Sequence, residues 1–296
     1  VNRASARGVA FVLVLWVIAL VSILLGSFAL IARTENLQAR HLFNTISARY
    51  AAQAGIDRAV FELRNPDLLT RWVADGRPYE FAFDDATVTV ELTDESGKID
   101  INHADPVMLT SLFQSIGFDE SRAEALADAV VDWRDPDDLA SPHGAESAEY
   151  RAAGLPYRPK NAPFDTVMEI QQVLGMDYDA YKRLEPAITI FASSNRPNPG
   201  FAPLEVLRTL PGMSDELAQQ ILTQRQATPP GQPAAINLPD GTPVVASGGG
   251  LTYSIRSHAR LPGGASATLD ATIRLGGANL AGRPYTILRW RDGENS

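Results

Sequence analysis

From Val9 to Ala32 the chain carries no charged residue. A helix of that length, at about 1.5 Å per residue, exceeds the roughly 30 Å hydrocarbon core of a bilayer. Arg3 and Arg7 precede the run, so the positive-inside rule predicts a single-pass protein with a cytoplasmic N-terminus and everything after Arg33 on the far side. Two rival readings stay open, a soluble core helix and a secretory signal peptide. Against the first, the run is apolar all round; against the second, it is longer than the usual apolar region and no small-x-small cleavage site follows it. Between Arg33 and Leu63 there is no proline and only one glycine, Gly55, and Leu37, Leu42, Phe43, Ile46, Tyr50, Ile56, Val60, Phe61 and Leu63 fall near helical spacing. Asn65-Pro66 stops the helix.

The period then changes. Tyr79–Phe83 and Thr87–Thr93 alternate around Asp84-Asp85, which predicts a two-stranded hairpin. Asp94–Asn102 reads as a turn and a short extended piece. Four helices are expected at Pro106–Ile116, Ser121–Trp133, Pro163–Leu174 and Tyr178–Leu184, with a long loop from Arg134 to Asn161. Leu204–Leu210, Pro211-Gly212-Met213 and Asp215–Arg225 form a helix-hairpin-helix pattern, of which Leu109–Trp133 is a degenerate copy. Thr228–Gly250, rich in Pro and Gly, reads as a linker or long hairpin. Thr252–Ala259, Ala267–Arg274 and Tyr285–Trp290 alternate like antiparallel strands. The expected fold class is α+β, with a long N-terminal helix, an antiparallel sheet and an α-helical insertion containing the hairpin motifs.

Composition narrows the function. Among 296 residues 45% are hydrophobic, enough for real cores, and the net charge is −9. Helix-hairpin-helix turns can set backbone N–H groups against a phosphate, so a membrane-anchored DNA-binding protein is the alternative reading. Residues 100–150 oppose it, holding 12 Asp or Glu against Arg122 and Arg134 alone; phosphate is repelled there, and no nucleic-acid partner is expected. The chain has no cysteine, which removes thiolate catalysis and cysteine zinc sites. His41, His103, His143 and His258 are scattered, and no nucleophile–base pattern stands out, so no enzyme is expected.

One cluster carries chemistry. In Asp132–Tyr150, Asp135, Asp137 and Asp138 stand close together, and Glu146 and Glu149 return at the other end of the loop. Calcium takes six to eight oxygen ligands in flexible geometry, which such loops supply. The spacing is not that of an EF-hand, and a solvated acidic loop remains the other reading. Asp135, Asp137, Glu146 and Glu149 are the expected ligands, Asp138 the next, and Asp132 a helix-end residue.

The leader VNRASARG, ending at Gly8 directly before the apolar run, resembles a type IV prepilin leader. The resemblance implies cleavage by a prepilin peptidase between Gly8 and Val9, methylation of the new amine, and retention of the helix as anchor. The fifth mature position, where pilins and major pseudopilins carry Glu, is Leu13. A carboxylate inside a bilayer costs about 2.5–3.5 kcal/mol on insertion scales and persists only with a partner; leucine removes cost and pairing together, which suits a tip subunit. Further along, AGIDRAVFEL, DESGKIDIN, AVVDWRDPDD, GAESAEY, the Leu-Pro-Gly hairpin and YTILRW, taken in order, resemble the GspK family of type II secretion minor pseudopilins. That resemblance implies a bacterial inner-membrane protein with a periplasmic C-terminal domain, GspI-like and GspJ-like partners at a pseudopilus tip, and structural Ca2+ in the helical insertion. It also implies an organisation: leader 1–8, anchor 9–32, pseudopilin helix and first strands 33–103, helical insertion 104–191, hairpin segment 192–227, and a β-rich part 228–296 completing the pseudopilin domain. Ser193–Ala202 departs from the family, whose members often carry an Asn-Thr-Ala stretch there.

Overall fold

The computed structural model describes residues 6–232, 236–244, 249–276 and 284–293, with side chains from residue 10 onward. The leader residues 1–5 lie outside these; the Gly8–Val9 junction falls within the first helix, and its side chains are likewise outside. Helix α1, Ala6–Leu63, is one unbroken element of 58 residues, about 85 Å long. Its first half is apolar and exposed on every side, long and apolar enough to cross a membrane; Leu13 is one of these exposed residues. A helix suits that role because it satisfies its backbone polar groups internally.

Burial begins at Ala48. Ala52, Ile56, Ala59, Val60 and Leu63 then pack against a sheet, while Leu37, Leu42, Phe43, Ile46, Tyr50 and Phe61, expected on the same stripe, are exposed. The sheet is five-stranded and wholly antiparallel, in the order β1 (Asp75–Phe83), β2 (Ala86–Asp94), β5 (Thr252–Arg260), β6 (Ser266–Leu275), β7 (Tyr285–Asp292). Strand β2 alternates buried and exposed residues, with Val88, Val90 and Leu92 turned to α1. Asp84 takes φ 51° at the β1–β2 turn, a backbone that aspartate tolerates better than most residues.

Everything from residue 95 to 251 is inserted between neighbouring strands β2 and β5. At the module's boundary, strands β3 (Ile99–Asp100) and β4 (Ile188–Thr189) pair in parallel. Helices α2 (Pro106–Ser115), α3 (Glu120–Arg134), α4 (Ser147–Ala152), α5 (Tyr178–Leu184), α6 (Leu204–Leu207) and α7 (Asp215–Ala227) surround a second core, which runs from Ile99 to Val244. The segments 104–191 and 192–227 and the short hairpin at 236–244 thus share one core. Asp105, Asp119, Asp177 and Ser214 cap α2, α3, α5 and α7, each accepting a bond from a first-turn amide.

Three expectations need correction. Pro163–Leu174 is not a helix but a 3-10 segment, Val167–Gln172. Asn102 exchanges hydrogen bonds with both the N–H and the carbonyl of Phe164, which fixes that stretch before a helix can start. The loop Arg134–Asn161 contains α4, too short for a periodic apolar signal. Leu204–Leu210 is helical only to Leu207, after which Thr209 and Leu210 close tight turns onto Val206 and Leu207.

Gly55 is the contact on which α1 docks. A Cβ there would lie 2.1 Å from Ser257 Oγ, 2.9 Å from Val88 Cγ1 and 3.0 Å from Val90 Cγ2. Alanine ordinarily favours a helix over glycine by about 1 kcal/mol, yet Gly55→Ala is expected to destabilise the protein by about 1–3 kcal/mol through overpacking. A denaturant melt checks this, and a more stable variant would show that α1 does not rest on the sheet at this point.

Candidate functional site

The last turn of α3 delivers Asp132 into the protein. Its carboxylate is fully buried and accepts bonds from Ser141 N at 3.1 Å and Ser141 Oγ at 2.5 Å. The chain passes so close that a Cβ on residue 144 would stand 2.0 Å from Asp132 Oδ2, so only glycine fits there. Asp135 caps α3, its amide donating to Val131 O. Its Oδ1 is buried with no hydrogen-bond partner. Glu146, 4% exposed, buries both carboxylate oxygens; its side chain faces the Glu149 amide in a capping box, but neither oxygen makes a full hydrogen bond. With Asp135 Oδ1, three under-bonded carboxylate oxygens lie buried beside one another's charge, an arrangement normally costly to folding.

The other acids are more fully engaged. Asp137 Oδ1 accepts from Leu139 N at 2.9 Å. Asp138 Oδ1 and the Asp137 carbonyl share the Asn161 amide, at 3.1 and 2.7 Å. Glu149 Oε2 accepts from Glu146 N at 2.9 Å, at the start of α4. His143 stands apart, its Nδ1 3.6 Å from Asp128.

Electrostatics binds the group together. Burial first, then the charges of Asp132, Asp135, Asp138 and Asp137, push the Glu146 carboxyl up to about 7. Burial and the neighbouring Asp137 and Asp132 likewise raise Asp135. Glu149 moves the other way, held below its ordinary range by the Glu146 amide. As they stand, no three His, Asp or Glu side chains among the described residues converge closely enough to hold a metal ion. The expected residues Asp135, Asp137, Asp138 and Glu146 share one electrostatic neighbourhood, while Glu149 sits at its rim. Asp132, read from sequence as a helix-end residue, does end a helix but is also the most buried acid of the group. Asp128, Asp132 and Asp135 follow at helical spacing on α3, the signal that places Asp132 on the stripe facing the loop.

Behind the acids lies an aromatic wall. Trp133 meets Tyr150, Tyr157 and Phe164 at centroid separations of 6.1, 6.5 and 6.1 Å. Trp133 Nε1 donates to Glu169 at 3.1 Å, and Tyr150 Oη accepts from Leu174 N at 2.8 Å. These contacts hold the loop's base rigid.

The hairpins make poor phosphate sites. Gly212, the turn glycine between α6 and α7, has φ 73°, and a Cβ there would lie 3.3 Å from Pro239. Pro239 covers the turn that a nucleic acid would need. In the first hairpin Phe118 packs against the Arg122 and Arg183 guanidinium groups, 4.2 and 5.0 Å from its ring centre. Arg122 is spent on Asp177 and Arg183 on the Ile116 carbonyl.

Known proteins resemble this chain in a consistent way. Residues 90–193 match the family model described as type II secretion system (T2SS), protein K. Type II secretion system protein K of Pectobacterium carotovorum is 39% identical over 26% of this chain and 24% of its own length. That of Klebsiella pneumoniae is 28% identical over 63% of each, and that of Pseudomonas aeruginosa 28% identical over 75% of this chain and 73% of its own. The match thus spans less than two thirds of the first two relatives. In fold the chain resembles a chain in the structure of the GspK-GspI-GspJ complex from the enterotoxigenic Escherichia coli Type 2 Secretion System, with TM-score 0.55 and 19% identity over 89% of this chain and 99% of that one.

The raised Glu146 carboxyl makes stability depend on pH. In the folded state it holds its proton to about 7, in the unfolded chain only to the ordinary 4.5. Its stabilising protonation is complete below the unfolded value and lost as pH rises through the folded one. In chelator, the detergent-solubilised protein is expected to melt higher at pH 5 than at pH 8. The difference should reach at most about 3 kcal/mol and flatten in Glu146→Gln. A melting temperature that rises from pH 5 to 8 in both proteins would contradict the burial of this carboxylate.

Proposed function

We propose that the chain is a member of the type II secretion system protein K family, a minor pseudopilin whose work is assembly. One observation carries the reading. A single apolar helix, exposed on all sides over its first half, becomes the docking stripe of an antiparallel sheet in its second. That is a subunit built to lie in a membrane and present a folded domain beyond it. Arg3 and Arg7 favour a cytoplasmic N-terminus and a periplasmic domain at the bacterial inner membrane. Cleavage by a prepilin peptidase between Gly8 and Val9 leaves the apolar span intact. Leu13 gives the helix no carboxylate with which to pair a neighbour, which favours the tip of the filament over its shaft. The solved relative in complex with GspI and GspJ supports partners of those two kinds. The covered Gly212 turn and the acidic first hairpin disfavour the DNA-binding alternative.

The acidic loop is proposed to hold a structural Ca2+. The three buried oxygens of Asp135 and Glu146 that make no full hydrogen bond fit a hard cation, and Asp132, Asp137 and Asp138 supply further oxygens. Glu149 commits one oxygen to the Glu146 amide and keeps the other. When bound, the ion supplies charge neutralisation and no reaction. The residues around it fix the loop between α3 and α4 and stiffen one face of the module.

Two measurements test these proposals. Full-length chain expressed with its cell's own pseudopilins should co-purify from detergent with GspI-like and GspJ-like subunits, in a form whose intact mass begins at Val9. Recovery alone, or a mass that still includes residue 1, counts against assembly or processing respectively. Separately, calcium should raise the melting temperature of the wild-type chain at pH 8, by about 2.7 kcal/mol of stability at a hundredfold excess over the dissociation constant. Asp135→Asn and Glu146→Gln should lose most of that gain. Equal melts with calcium and chelator, and no metal by elemental analysis, exclude the site.

A further inference from the structure

A cleft of about 690 Å³ opens between the helical module and the sheet face turned away from α1. Its floor is built by β2, β5, β6 and β7, and its far wall by α5, α7 and the chain around Phe201. Two ion-pair systems hold it open. At one end Asp75, fully buried, takes two bonds from Arg77 at 2.9 and 2.7 Å and lies 4.0 Å from Arg225 on α7. At the other, Arg291 on β7 reaches Asp270 at 3.1 Å and Glu185, the residue that caps the end of α5, at 3.5 Å.

Within this cleft are two nitrogen donors without acceptors. Arg225 is 3% exposed, and its Nε–H has no hydrogen-bond partner; its Nη1 reaches only the Pro199 carbonyl, at 3.2 Å. Arg289 on β7 also has a buried Nε–H without a partner, and it makes no ion pair with any described residue. Among the described residues these are the only buried side-chain N–H groups left unpaired, and both line the same cleft. The neighbouring sheet face sets three guanidinium groups, Arg256, Arg289 and Arg291, around one carboxylate, Asp270, which takes Arg256 and Arg291 and leaves Arg289.

We propose that this cleft binds a carboxylate, with the Arg289 guanidinium as its principal donor and Arg225 Nε–H as a second. A planar guanidinium matches a carboxylate in charge and in donor spacing. Phosphate suits the same fork, but the whole lining holds six acidic and six basic side chains. A dianion meets more repulsion there than a singly charged group does. Phe201, Leu204 and Leu222 add apolar wall, so the carboxylate's carrier has an apolar or extended portion beside the charge. A protein segment bearing Asp, Glu or a free C-terminus has that chemistry, and so has a small organic acid.

Saturation-transfer NMR on the full chain in detergent tests this, with acetate, inorganic phosphate, the blocked peptide acetyl-Gly-Glu-Leu-amide and its Gln counterpart as probes. Acetate and the Glu peptide should saturate; the Gln peptide should bind about tenfold more weakly, as loss of a charged acceptor implies. Arg289→Gln should abolish the Glu-peptide signal, and Arg289→Lys, which keeps the charge and loses the fork, should weaken it about tenfold. A Glu peptide binding tighter than acetate assigns the site to a protein segment; equal binding assigns it to small organic acids. Unaltered melting temperatures show that the variants remain folded. The proposal is overturned if phosphate binds more tightly than acetate, if no carboxylate saturates, or if the signal survives Arg289→Gln.

Discussion

Asp94 holds the two ends of the helical module together. It ends β2, is fully buried, and accepts from Ser96 N at 2.8 Å, where the chain leaves the sheet, and from Gly250 N at 2.9 Å, where it returns. The β2–β5 register, Asp94↔Tyr253 through Thr87↔Arg260, forms only if those ends meet. Closing an excursion of this length costs roughly 4 kcal/mol in the length-dependent entropy alone. The excursion offsets that cost with its own core from Ile99 to Val244 and with the β3–β4 pairing, which closes its first part, from residue 99 to 189, onto itself. Gly249 follows from the same crowding, since a Cβ there would stand 2.3 Å from Asp94 Oδ2.

With the module fixed on the sheet, the unsatisfied buried atoms of charged side chains sort by sign, leaving only the Ser96 and Ser257 hydroxyls besides among the described residues. The acidic loop between α3 and α4 holds buried acceptors without full hydrogen bonds, on Asp135 and Glu146. The cleft on the sheet side holds buried donors without acceptors, on Arg225 and Arg289. In both places the surroundings are rigid: an aromatic wall behind the acids, and paired Asp75–Arg77 and Asp270–Arg256 behind the arginines. A protein that needed these groups only for folding could pair them with each other. Their separation, acceptors in one place and donors in the other, is what the two proposed ligands, a cation and a carboxylate, would each answer.

Local order was legible where one period dominates. The apolar run and the proline-free stretch from Arg33 to Leu63 announce α1, though its buried stripe is largely alanine and was not legible; the Asp84-Asp85 turn announces β1 and β2, and alternation finds β5 to β7 nearly to the residue. Amphipathic spacing made α2, α3, α5 and α7 readable, and their caps at Asp105, Asp119, Asp177 and Ser214 emerge only in the structure. Phe164 resisted because Asn102, some sixty residues earlier, fixes its backbone, and no local signal carries that bond. The acids of the loop could be found from composition, but not their ranking. Glu149 looks equivalent to Glu146 in sequence; folding buries one and leaves the other at the surface, bonded to the first one's amide. The cleft was invisible for a stronger reason, since its donors come from residues 225 and 289 and meet only across the β2–β5 join.

The same repulsion that makes the acidic loop expensive also makes it responsive. Glu146 is raised to about 7 because burial and four neighbouring acids all oppose its charge. Near neutral pH the loop therefore sits between two ways of losing that charge, a proton or a cation. Linkage requires that the free energy which destabilises the ionised loop reappears as preference for whatever neutralises it. A loop paired internally, like Asp75 with Arg77, has no such reserve and reports nothing about its surroundings. Replacing Glu146 by a neutral residue removes that reserve. A Ca2+ held there as proposed would couple the order of the α3–α4 loop to the cation content of the compartment in which the domain folds.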